Sequence, residues 1–558
     1  MLINEKHVND EEAFSGPHLS RQAFLMGTAC AGLACALGAS DACLASAAQG
    51  ETESPDDGAV VADVVVVGAG AAGLAAASAA AEEGKSVVVL ESAGVAGGAT
   101  LRSSGFMMFV DDDYNAGLER NDAELDQYLA LDPADFPGAW ADDFAALQEQ
   151  VRAYLDNSEE LGRFDSIECA MVDHYRTGSG FDAEGNAVHL DHDLLRAAFD
   201  ASKETFEWLA EDGFAMTGKF VASRAAVPPV SHAGIPEGGS MALVDALESK
   251  ALRLGCEICY DTKVVGLIVE DGRVAGVRVI GEQGDPVLYR ASQGVVLATG
   301  GFSANGALIS MFQNRGSGLS ADCGSTNPST CDGSGLIMAH RAGAGLRDMQ
   351  FVSTMIRPYH VGGTTPEGNA VMDASQMIVN SQARRFADET KPTFQNALIN
   401  QPDALGIALG DAAMIDSLEE ATPGCIEDFK GRGWLFVADT LEELAEAAGL
   451  DAQALAQSVE TYADVVQAGT DEVYGRTEFK GAVANPPFVA AKVQSCYHLT
   501  FGGLIIDEDA HVIDLNGMPV PGLYAAGSVL GGFEGVVHQT GHCLSYVVYC
   551  GRIAGLTR

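Results

Sequence analysis

Positive charge is scarce in this 558-residue chain: 32 Lys and Arg face 78 Asp and Glu, a formal net charge of −46. A surface of that sign repels phosphate backbones and anionic lipid, which argues against nucleic-acid and electrostatic membrane partners. Charged residues total only 20% against 47% hydrophobic, so the chain is not largely disordered. No C-x-x-C-H occurs, which excludes a c-type haem carried by this chain, and no cysteine spacing fits an iron–sulfur centre. The 12 cysteines make no disulfide framework either: three (Cys30, Cys35, Cys43) fall in the first 47 residues, and the other nine are irregularly spaced. Cys256 and Cys259 form a C-x-x-C, but Cys256-Glu-Ile-Cys-Tyr260 reads as a strand. Residues i and i+3 of a strand face opposite sides, so the pair reads as buried cysteines and no metal site is expected.

The apolar run Met26–Leu44 is too short and too weakly hydrophobic for a strong membrane anchor. Ser20-Arg-Gln-Ala-Phe-Leu25 precedes it, and Ala45-Ser-Ala47 offers a small-residue cleavage site. The segment resembles the twin-arginine signal S-R-R-x-F-L, with Gln22 at the second arginine. Residues 1–47 are therefore expected to be an export signal and 48–59 an acidic linker. The mature protein is expected in the periplasm or on the outer face of the cytoplasmic membrane.

What is abundant is glycine, 65 residues of it, and the densest local signal is built on glycine. Asp63-Val-Val-Val-Val67 is a continuous β-branched run, as a strand covered on both faces requires. Gly68-Ala-Gly70-Ala71-Ala72-Gly73 follows, then an Ala-rich helix ending at Gly84, then the strand Lys85–Leu90 closing at Glu91. Gly68 allows the tight turn, Gly70 lets the backbone approach a pyrophosphate, and Gly73 lets helix and strand pack closely. The helix N-terminus directs N–H groups at the phosphates, and Glu91 can accept ribose hydroxyls. This is a complete dinucleotide-binding βαβ unit, compatible at this point with NAD or FAD.

Gly97-Gly-Ala-Thr100 and Ser103-Ser-Gly105 come next, and with them the chain resembles the FAD-binding fumarate reductase family, which includes urocanate reductases and 3-ketosteroid dehydrogenases. Further matching blocks are Val295–Gly301 (ending A-T-G-G), Asp332-Gly-Ser-Gly335, Val379-Asn380 with Arg385-Phe-Ala-Asp-Glu389, Thr500-Phe-Gly-Gly503 and Gly522-Leu-Tyr-Ala-Ala-Gly527. The resemblance implies non-covalent FAD and an α/β fold. A Rossmann-like, glutathione-reductase-like FAD-binding domain (60–349 and 496–558) would carry an inserted α+β capping domain at 350–495. It also implies cofactor contacts from Gly68, Gly70, Ala71, Ala72, Gly73, Glu91, Ser92, Gly98, Ala99, Thr100, Ser104, Gly105 and Val264. Ala298, Thr299, Gly300, Gly527, Ser528, Cys543 and Leu544 complete that set, with Ser528 standing where the family commonly has Glu.

The chemistry implied is hydride transfer from flavin N5 to an activated C=C bond, completed by a proton donor and by positive groups at the activating carbonyl. Thr393 stands where the family's fumarate reductases carry an arginine acid, and His538 where they carry a carboxylate-binding arginine. His498 is retained. An enone or enoate other than fumarate is the expected acceptor, with His498, His538, Arg357, Tyr359 and His360 as candidate catalytic groups. Arg357-Pro-Tyr-His360 reads as a short Pro-bounded loop. Two alternatives are a ketosteroid-type dehydrogenase, for which no tyrosine lies near Phe488-Val489, and a non-catalytic flavin protein. Reducing equivalents are expected from a separate donor, a membrane-bound cytochrome or a quinol-linked protein.

Overall fold

A computed structural model describes residues 58–157, 161–181, 185–188, 190–221, 232–281, 284–312, 319–360, 363–364, 370–391 and 394–557. Residues 1–47, where an export signal is expected, most of the expected linker and Thr393 lie outside the described residues. Residues from Gly58 onward form one compact unit.

β1 (Val60–Val67) has a fully buried second half, and α1 (Ala71–Glu82) and β2 (Val87–Leu90) follow it. β1 pairs in parallel with β2 (Val64 opposite Val87, Val67 opposite Leu90) and with the strand Pro286–Leu297 on its other side. The sheet runs His511–Ile513, Pro519–Ala525, Pro286–Leu297, β1, β2, Glu257–Cys259. An antiparallel pair, Val264–Glu270 and Arg273–Ile280, extends from Pro286–Leu297. Cys256 is buried with its thiol on Ala77 O, and Cys259 is half-buried on the strand beyond it.

The last described helix, α2 (His542–Leu556), lies against α1. A Cβ on Gly551 would come within 2.4 Å of Ala72 O, and one on Gly555 within 2.2 Å of Ala76 O. Both glycines are therefore required by the close approach, and the rising register shows that the helices run parallel. Their N-termini consequently sit at the same end of the sheet, beside the carboxyl ends of its parallel strands, where open α/β sheets bind ligands.

Between Val110 and Ala210 the chain forms a helical layer that includes Ala139–Asp156, Ile167–Gly178 and His192–Asp200. A second sheet is antiparallel and centres on β4 (Phe488–Thr500), which pairs with β3 (Val352–His360), Leu405–Gly410 and Leu435–Ala438. Its strands alternate strictly. Ile378, Ala408, Val489 and Ala491 face one core, while Met377, Val379, Ile407, Leu409 and Ala490 face another. Both faces are covered by helices from the same stretch, including Ala412–Ala421 on one side and Ala452–Ala468 on the other.

Candidate functional site

The carboxyl ends of β1, β2 and Pro286–Leu297 open into a cleft of about 1070 Å³. Fifteen residues singled out in the sequence line it: Gly68, Gly70, Ala71, Ala72, Glu91, Ser92, Gly98, Ala99, Thr100, Val264, Ala298, Thr299, Gly300, Gly527 and Ser528. Gly68 has φ +103, and a Cβ there would fall 2.4 Å from Ala298 O. Gly73 lies behind the cleft, where a Cβ would strike Gly68 O at 1.9 Å. Gly70 differs: its φ is −76, and an added Cβ meets nothing closer than Gly97 O at 3.8 Å. The backbone at Gly70 is thus unstrained, and a side chain there would have its room in the cleft.

Glu91 is buried, and its oxygens accept from Ala69 N (2.7 Å) and Ala93 N (2.8 Å). The carboxylate ties the glycine turn to the end of β2, a positioning role that the ribose reading did not anticipate. Thr100 Oγ1 similarly accepts from Ala71 N at 3.2 Å. Thr299 Oγ1 is buried in the cleft wall without a hydrogen-bond partner. Such an orphan costs about 1–3 kcal/mol unless a bound group satisfies it. A Cβ-free turn, the N-terminus of α1 and an unsatisfied hydroxyl suit a dinucleotide's phosphates and sugars.

Ser104, Gly105, Cys543 and Leu544 do not line this cleft. Ser104 is exposed, a Cβ on Gly105 would meet Ser240 N at 2.5 Å, and Leu544 is buried in the first turn of α2. Cys543 faces an adjoining cavity of about 300 Å³ with Thr500, Gly527, Ser528, Glu534 and Tyr546. Burial and the Glu534 charge push its thiol up to about 12. Thr262, Lys263 and Cys331 also line the cleft and were not singled out in the sequence, while Asp332 and Ser334 bring the Asp332–Gly335 block to it. Lys263 Nζ pairs with Asp332 at 2.9 Å across 69 residues, so no local pattern announced it.

Gly527 and Ser528 also line an adjoining pocket whose wall includes Leu499 and Glu534. His498 lies on β4, and its Nδ1 meets Thr326 Oγ1 at 2.6 Å. Burial, reinforced by the charges of His538 and Arg357, pushes His498 down to about 3, so its ring is neutral. The His538 ring is 6.5 Å away, and its Nδ1 bonds Glu534 Oε2 at 2.9 Å. Tyr497 turns away from His498, its hydroxyl donating to Ser320 O.

Arg357 is on a strand rather than in a loop. β3 continues through Pro358, opposite Val493, to His360, because a neighbouring strand supplies the pairing that a local reading cannot see. The guanidinium donates to Ile356 O (3.1 Å) and contacts Met355 Sδ (3.3 Å). Tyr359 and His360 end the strand, and their side chains lie outside the described atoms.

The block Arg385–Glu389 builds the capping sheet. Arg385 pairs with Glu389 (2.9 Å) and Asp471 (2.8 Å), and the buried Arg476 bridges Glu389 (3.0 Å) and Gln376 O (3.0 Å). A second buried cluster underlies α2. His232 is clamped between Asp165 (2.7 Å) and Asp173 (3.3 Å), and Asp173 also takes Arg176 (3.1 Å) and Tyr128. Ligand atoms of Cys169, Asp173 and His232 lie within 4.8 Å of one another, but these hydrogen bonds already engage the carboxylate and both ring nitrogens.

Among the described residues no helix is long and apolar enough to cross a membrane. Residues 63–544 match the family model described as FAD binding domain. The chain is 30% identical over 473 residues to the NADH:acrylate oxidoreductase of Vibrio harveyi, covering 82% of this chain and 46% of that protein. It is 29% identical over 377 residues to the NADH:fumarate oxidoreductase of Klebsiella pneumoniae, covering 65% and 38%. The chain thus spans less than half the length of these two relatives. A flavocytochrome c3 fumarate reductase in its open conformation superposes with TM-score 0.70 and 25% identity, over 90% of this chain and 78% of that one. The chain therefore belongs to the FAD-binding flavoprotein family of fumarate reductase type, and FAD is its cofactor.

Proposed function

We propose that this protein is an FAD-dependent oxidoreductase that reduces an activated carbon–carbon double bond in a small acceptor of the enone or enoate class other than fumarate. FAD, when bound and reduced, supplies a hydride to the β carbon of such an acceptor. The turn at Gly68–Gly70, Thr100, Thr299 and the first turn of α1 hold and orient it. His498, His538 and Arg357 surround the acceptor, and 350–495 closes over it as a cap.

The observation that carries this reading is the pairing of His498 and His538, 6.5 Å apart, where His498 precedes Leu499 and His538 bonds Glu534, two residues of the pocket that shares Gly527 and Ser528 with the FAD cleft. The activities of the two relatives, on acrylate and on fumarate, support the reaction class. Against fumarate stands the loss of two arginine positions, now Thr393 and His538. An imidazole whose Nδ1 is already bonded to Glu534 offers one free donor where a guanidinium gives a charged fork. Each lost desolvated contact costs about 2–5 kcal/mol, about 30-fold to several thousand-fold in rate or affinity.

Electrons would come from a separate cytochrome or quinol-linked donor, and residues 1–47 would direct export. NADH use by the two relatives belongs to proteins more than twice the matched length and does not transfer. The test is anaerobic reoxidation of the dithionite-reduced protein by acrylate, cinnamate, cyclohexenone and fumarate. Fast reoxidation by one of the first three, with fumarate at least about 30-fold slower, is expected. Fumarate as the best acceptor would reject the specificity, and no reoxidation by any would reject the activity.

A further inference from the structure

The reaction proposed above leaves one role unassigned: the donor of the proton that the α carbon takes after the β carbon has received hydride. We propose that His538, held by the buried carboxylate of Glu534, donates that proton, and that His498 serves as a neutral hydrogen-bonding ligand. This assignment rests on the proposed reduction.

Glu534 is 4% exposed and lies in a segment with no freedom to shift. The next residue, Gly535, has φ +68, and a Cβ there would fall 2.0 Å from Gly178 O. One Glu534 oxygen is taken by the Tyr546 hydroxyl, the other by His538 Nδ1 at 2.9 Å. A carboxylate can only accept, so Nδ1 carries a proton in either state of the ring. Nε2 is then the nitrogen that gains and loses one. The His538 side chain keeps 23% exposure, enough for Nε2 to meet an acceptor and to be recharged from water.

The charges around the pair settle which histidine is the acid. Burial opposes the imidazolium at His538, but the charge and hydrogen bond of Glu534 outweigh it and raise the ring above its ordinary value. Glu534 in turn lies below the carboxylate range: burial opposes its charge, but His538 and the Tyr546 hydroxyl outweigh that. Among the described residues no carboxylate hydrogen-bonds His498; burial and the charges of His538 and Arg357 outweigh the more distant Glu534 there. His174 and His542 also act on His538's surroundings and are themselves held neutral by burial. Cys543, beside Glu534, stays protonated. One imidazolium and one neutral imidazole, 6.5 Å apart, are what an α-carbon protonation and a carbonyl ligand respectively need.

In the step, the Nε2–H bond breaks and an α C–H bond forms from the electron pair of the enolate. His538 ends neutral on the Glu534 carboxylate, and the two hydride electrons are replaced by the separate donor. Glu534 is a positioning residue and His538 the catalytic one.

Two measurements on the FAD-loaded protein test this. Imidazole NMR should show His538 titrating above the ordinary histidine range in the wild type and about one unit or more lower in Glu534→Gln. Single-turnover reoxidation, with the fastest acceptor of the panel, should fall about 100-fold or more in His538→Gln. In Glu534→Gln its alkaline limb should move to lower pH, while His498→Gln should leave that limb in place. Should either variant fail to retain FAD, His538→Asn and Glu534→Leu carry the same expectations. If His538→Gln and His538→Asn reoxidise at the wild-type rate with the wild-type pH profile, the assignment is overturned while the reduction stands. If no acceptor reoxidises the wild type, both fall.

Discussion

The two ends of the cleft are built by different means. The phosphate end is made by consecutive residues, 60–100, and mostly by backbone: glycines without Cβ, amides at a helix start, one carboxylate tying a turn. The histidine end is made by side chains from β3, β4 and the turn before α2, which meet only because two sheets bring them together.

Four substitutions break or sharpen that contrast. Gly73→Val should be the most damaging, because its Cβ would sit 1.9 Å from Gly68 O and both atoms belong to backbone that cannot yield. No cooperatively folded flavoprotein is expected by thermal melting and flavin absorbance. Arg476→Met comes next. It strips a buried cation from Glu389 and Gln376 O, at a cost of about 3–5 kcal/mol in denaturant melts. The surviving folded fraction should still bind FAD, since this network belongs to the cap.

Gly70→Val should leave the apo protein's stability within about 1 kcal/mol, because that Cβ has 3.8 Å of clearance, yet abolish FAD binding. A yellow Gly70→Val protein would show that the turn is not the pyrophosphate site. His498→Gln is the mildest. The folded pKa of about 3 lies below the ordinary 6.5, so the unfolded chain binds the proton more readily. His498's contribution is therefore full above pH 6.5 and erodes as pH falls toward 3. Removing the imidazole should flatten the wild type's stability-against-pH curve in that window, as followed by urea melts.

The same contrast explains what could be read in the sequence. The parallel βαβ unit was legible because its turn, helix and strands are contiguous, and Gly73 answers a local steric demand against Gly68 O. The helices Leu441–Ala448 and Ala452–Ala468 carry an apolar period of their own, visible in a local stretch of sequence. Arg357–His360 read as a loop because proline and polar residues dominate locally, whereas pairing with β4 decides its state. Lys263 with Asp332, and Glu534 with His538 and Tyr546, become meaningful only in three dimensions. Arg385–Glu389 was legible as a motif but not as to its use, because an ion pair inside a cap and a substrate clamp call for the same residues.

The contact between α1 and α2 joins segments about 470 residues apart, as the reach of Lys85 Nζ to Gly555 O also shows. At about 5–20 residues per second, α1 leaves the ribosome about 25–100 s before its partner exists. Throughout that interval its Ala-rich face and the strand before it have no cover, which makes the nascent chain a client for chaperones. FAD loading is then an event of the finished polypeptide, and any translocation that conserves the flavin has to wait for it.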